Sequence, residues 1–97
     1  MSDTRSDQYS PVAPHRNAVL ALDEQDYLYG CGTLALRVER LGADPRSFPK
    51  LEWVRIVGQE IGWNGSETPR DVMVRVEAIG RSLRPADWRP SRYRRPT

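Results

Sequence analysis

Thr33-Leu34-Ala35-Leu36-Arg37-Val38-Glu39 carries branched apolar side chains at 34, 36 and 38 and places Ala35, Arg37 and Glu39 between them. A period of two marks a β-strand with one face in a core and the other in water. The period returns at Asp71-Val72-Met73-Val74-Arg75-Val76-Glu77. Strands are therefore expected at Thr33–Leu41 and Arg70–Ile79, with Arg37, Glu39, Arg55, Arg75 and Glu77 on the solvated face.

Working outward, Leu51 to Trp63 admits two readings. Leu51, Val54, Gly58 and Ile61 share a helical face. Against that, Trp53, Val54, Ile56 and Val57 are aromatic or β-branched, and Gly58 would cost a helix interior about 1 kcal/mol. Strand is favoured over helix, with Val54 and Ile56 facing the core and Gly58 marking a bulge. Asn64-Gly65 follows, the pair best suited to the positive backbone angles of a hairpin turn, and a long loop through Pro69 is expected. Ala18 to Leu22 or Asp26 to Tyr29 offers a fourth strand. The expected fold is a small antiparallel β-meander, curled into a small barrel or roll, because so small a sheet must cover its apolar face. Homodimerisation through an edge or face is the other way to do so.

The domain plan that follows is a disordered N-terminal arm over residues 1–18, one small β domain over residues 19–80, and a flexible Arg/Pro-rich tail over residues 81–97. The chain has 97 residues and a net charge of +2, which hides an uneven distribution. Residues 1–22 are neutral, residues 23–79 carry ten acids against seven bases, and residues 80–97 carry six Arg against Asp87. The basic residues comprise 14 Arg and only Lys50, a ratio expected of a genome rich in G and C. An electrostatic partner would meet the tail first, and cutting at Gly80 is expected to separate tail from body.

Few residues invite catalysis. Length excludes a large enzyme. Cys31 stands alone, so no intramolecular disulfide is available, and His15, between Pro14 and Arg16 in a segment expected to be unstructured, is poorly placed to hold a fixed geometry with it as a base. A small buried or half-buried thiol is expected. There is no His/Cys/carboxylate spacing for a metal and no phosphate-binding glycine motif, so neither cofactor nor enzymatic activity is expected. No apolar run approaches the roughly 18 residues of a membrane span and the N-terminus lacks a signal-peptide centre, which makes cytoplasm the expected compartment.

Two sets of residues are candidates for binding. Tyr27, Tyr29, Trp53 and Trp63 either close the ends of a small core or form an exposed aromatic patch for a protein partner. In the tail, Arg84-Pro85, Arg89-Pro90 and Arg95-Pro96 recur around Trp88 and Tyr93. Arg84, Trp88, Arg89, Arg92, Tyr93, Arg94 and Arg95 are candidate nucleic-acid contacts, since Arg meets phosphate and an aromatic ring stacks on a base. The leading expectation is a non-enzymatic adaptor or accessory module that binds another protein. An accessory nucleic-acid-binding protein using the tail is the alternative.

Asp26-Tyr27-Leu28-Tyr29-Gly30, then Gly32, Leu34, Leu36, Arg37 and Val38, with Trp53-Val54-Arg55 and Trp63-Asn64-Gly65, resembles small proteins of high-GC bacteria to which no activity is attached. The resemblance spans about residues 26–79 and implies a discrete compact body.

Overall fold

The computed structural model describes residues 12–90. It is mainly β: β1 (Val19–Leu22), β2 (Leu34–Leu41), β3 (Trp53–Ile61), β4 (Glu67–Arg75) and β5 (Leu83–Arg84) form one antiparallel sheet in the order β4-β3-β2-β1-β5. The first four strands are the expected meander, and β5 returns to lie beside β1. A 3₁₀ turn at Glu24–Asp26 and helix α1 (Val76–Ser82) complete the regular structure.

The segment left open between strand and helix resolves as strand over Trp53–Ile61, since β3 pairs on both sides, with β2 and β4. The core follows the period-two pattern. Leu20 and Leu22, Leu34, Leu36 and Val38, Val54 and Ile56, and Val72 and Val74 meet in one buried cluster, closed by Tyr27 and Ile79. Each such side chain contributes on the order of 1.5–3 kcal/mol when fully removed from water.

The sheet curls without closing into a barrel. Beyond Leu22 the chain makes its 3₁₀ turn, and Tyr27 then forms an antiparallel bridge to Val74 on the outer edge of β4, where the Leu28 amide donates to the Met73 carbonyl at 2.9 Å. In a flat sheet four inter-strand gaps, about 19 Å in all, would separate β1 from the far side of β4. Five steps of chain that include a 3₁₀ turn reach less than that. The sheet must therefore roll, and Tyr27 is where it laps over itself.

Several boundaries differ from expectation. The strand expected at Arg70–Ile79 is shifted: β4 begins at Glu67 and stops at Arg75. Ala78, Ile79 and Ser82 are buried at helical spacing, so the period changes from two to 3.6 at Val76, and Glu77 belongs to α1 instead of the solvated sheet face. The hairpin loop is shorter than expected. Glu67, Thr68 and Pro69 pair with Ile61, Glu60 and Gln59, and Pro69 is tolerated because β4 lies at the edge of the sheet. The turn itself uses Gly65 at φ +86, with the Gly62 amide donating to the Ser66 carbonyl at 2.8 Å. The bulge expected at Gly58 sits across from it on β2, where the register shifts between Val38 and Arg40. Gly58 is required by close approach: a Cβ there would lie 1.9 Å from the Arg37 carbonyl oxygen.

The domain limits move outward at both ends. Among residues expected in a disordered arm, Val12 packs against the core, Pro14 is buried, and the Asn17 amide donates to the Val38 carbonyl at 2.7 Å. The rest of the arm, residues 1–11, lies outside the described residues. The fold also runs past Gly80, because Ser82 is buried in α1 and β5 pairs Leu83 and Arg84 with Leu20 and Val19. A cut at Gly80 would pass through the helix.

Candidate functional site

The four aromatic candidates do not form one patch. Tyr27 is 5% exposed and belongs to the core. Its hydroxyl donates to the Gly32 carbonyl at 2.9 Å and accepts from the Cys31 amide at 3.2 Å, pinning the loop between β1 and β2. Glu24 fixes the same loop by accepting from the Gly32 amide at 3.1 Å. Held in this way, Tyr29 has the left-handed φ of +58 and is 97% exposed. A non-glycine residue in that region is uncommon, and here it turns a ring outward. Leu28 beside it is also exposed.

Trp53 is half-buried, and the Arg75 guanidinium stacks on its ring at 4.5 Å. Trp63 stands at the tip of the β3–β4 hairpin, 52% exposed. With Thr33, Ala35, Glu60, Ile61, Gly62 and Pro90 it lines an open cleft of about 130 Å³. Tyr29 and Trp63 are thus the exposed members of the set, and Tyr27 and Trp53 support the structure.

The tail behaves unlike a free extension. On the sheet face opposite the main core, Val19, Ala35 and Ile61 form a second buried cluster, and Trp88 packs against it. Arg37, on the same face as Ala35, braces the arrangement: Nη1 donates to the Ala86 carbonyl at 3.0 Å and to the Asn17 carbonyl at 3.4 Å, while Nη2 pairs with Glu67 at 3.2 Å. Arg84 lies over the Trp88 ring at 5.9 Å and also donates to the Leu83 and Arg81 carbonyls. The Arg89 guanidinium lies against Gly65 in the hairpin turn. Residues 83–90 therefore form a strap across the second face, which corrects the expectation of a flexible tail from residue 81. Arg84, Trp88 and Arg89 are engaged with the fold, so Trp88 cannot stack on a base while it covers Ile61. Arg92, Tyr93, Arg94 and Arg95 lie outside the described residues.

The two-residue period sets Ala35 among the polar positions and so conceals the second face. Its signal was the unbroken run Ala18 to Leu22, since a strand with apolar residues on both faces is buried on both. By its sequence position Arg37 is an ordinary solvated residue, and only the strap gives it a role.

The solvated face carries paired charges. Arg55 and Asp71 form a two-pronged ion pair from neighbouring strands, which raises the guanidinium pKa and holds the Asp71 carboxyl below its usual range. Asp44 and Arg46 do the same within one loop. Cys31 is exposed rather than buried, carried outward by the loop that ends in Gly32 at φ +79. Among the described residues no cluster of His, Cys, Asp or Glu could hold a metal ion, and no helix is long and apolar enough to cross a membrane.

Compared with protein-family models, curated proteins and solved structures, the chain gives no match.

Proposed function

We propose that this protein is a non-enzymatic protein-binding module, an adaptor or accessory domain acting in the cytoplasm. The observation that carries the reading is Tyr29, an aromatic ring almost wholly in solvent on a loop whose backbone is fixed by Tyr27 and Glu24. Because the loop beneath it is already fixed, contact through Tyr29 orders one side chain and not a whole loop, which keeps the entropic cost low. Trp63 at the hairpin tip offers a second anchor of the same kind.

The test is affinity capture with the full chain, comparing wild type with Tyr29→Ala and Trp63→Ala, each with and without nuclease. A protein retained by wild type through nuclease treatment and lost from either variant supports the reading. Capture that disappears on nuclease treatment and is unaffected by Tyr29→Ala would replace it with a nucleic-acid-binding function.

A further inference from the structure

The strap, Leu83-Arg84-Pro85-Ala86-Asp87-Trp88-Arg89-Pro90, leaves β5 through a turn at Ala86-Asp87, where the Trp88 amide donates to the Pro85 carbonyl at 2.9 Å, and it is seated on a surface that has a distinct place for each of its anchors. Trp88 covers Val19, Ala35 and Ile61. Arg37 takes a main-chain carbonyl, and Pro90 lines the cleft with Trp63. An apolar pocket for an aromatic ring, a cationic fork for a backbone carbonyl and an indole beside a proline are together the elements of a site for a proline-bearing peptide whose turn delivers its aromatic ring. The attachment is slight: β5 has two residues, and Leu83 through Asp87 are exposed.

We infer that the strap is an internal ligand, and that the surface beneath it binds in trans a partner peptide in which a proline-initiated turn is followed by an aromatic residue and Arg-Pro. The occupant's chemistry is the one already seated there. Tethering holds the strap at a high effective concentration, so an outside peptide competes poorly until the strap is released. The inference rests on the protein-binding reading and adds a second binding surface, away from Tyr29, together with the class of its ligand. Strap release uncovers Val19, Ala35 and Ile61, an apolar area that needs a new cover.

A labelled peptide with the sequence of residues 83–90, titrated into the full chain, tests this. Expected is saturable binding to Trp88→Ala, with amide shifts in NMR spectra confined to Ala35, Ile61, Gly62, Trp63 and their neighbours. Binding to wild type should be at least tenfold weaker, and a peptide whose tryptophan is replaced by alanine should not bind either chain. No binding to folded Trp88→Ala, equal affinity for both chains, or shifts elsewhere overturns the inference. So does a dimer of wild type that Trp88→Ala abolishes, since the occupant would then be the strap of a second copy. Hydrogen exchange on wild type decides the matter if Trp88→Ala does not fold: the Trp88 amide should exchange at least a hundredfold faster than β2 and β3 amides. Equal protection would mean a strap that never opens. If the peptide fails while capture of a protein still depends on Tyr29, the inference alone falls and the binding module stands.

Discussion

The Arg81 guanidinium on α1 reaches the carboxylate of Asp26, 55 positions earlier in the 3₁₀ turn, at 2.7 Å. Asp26 is 2% exposed and its other oxygen accepts from the Asp23 amide at 2.9 Å, whereas Arg81 is half in solvent. The pair ties the turn that precedes Tyr27 to the helix that closes the core. Its two halves are unequal, because removing the arginine strands a buried charge while removing the carboxylate leaves a cation that water can solvate. Arg81→Ala is expected to cost about 2 kcal/mol. Adding Asp26→Asn in the same chain should recover part of that loss, and a double-mutant cycle in urea measures both.

Tyr27→Phe keeps the ring in the core and removes the hydroxyl that pins Gly32 and Cys31. The expected cost is about 1 kcal/mol. The Cys31 amide should lose protection against hydrogen exchange, whereas amides of β2 and β3 hold theirs relative to global stability. Uniform loss across the sheet would show that the hydroxyl does not act locally.

Gly58→Ala brings a methyl group against the Arg37 carbonyl, between two strands that cannot separate without breaking their ladder. A loss of more than about 3 kcal/mol is expected, enough to unfold a small domain. Circular dichroism melting reads the result.

Asp71 should titrate below its ordinary value of 3.8 because Arg55, and more weakly Arg40, favour the charged form. A depressed carboxylate pKa contributes stability above the unfolded-state value, and the contribution is lost as pH falls through the folded-state value. The loss is therefore confined to the acid side of the usual carboxylate range. Both partners are exposed, so the contribution is small and screened by salt. Carboxyl NMR titration of wild type and Arg55→Ala checks it: the Asp71 midpoint should move up in the variant.

A chain ending at Gly80 loses Ser82, β5 and the Trp88 cover at once. It should be unfolded or aggregate, which circular dichroism melting and light scattering read.

The β class and most of the core were legible in the chain itself, since Leu34, Leu36 and Val38 or Val72 and Val74 declare their faces by local period alone. Asn64-Gly65 likewise announced its turn through its backbone preference. Of the four aromatic candidates, the sequence could say only that they were worth locating: burial of Tyr27 and exposure of Tyr29 differ by two positions in one loop, and the choice depends on where Val74 lies across the roll. Tertiary structure alone decided the end of β4, the strand that carries the bulge opposite Gly58, and the docking of residues 83–90. The residues around Trp88 have of their own only a turn, in which the Trp88 amide donates to the Pro85 carbonyl at 2.9 Å, so local rules leave their docking open. They are placed by Val19, Ala35 and Ile61, three residues from three strands that become one apolar surface only after the sheet has formed.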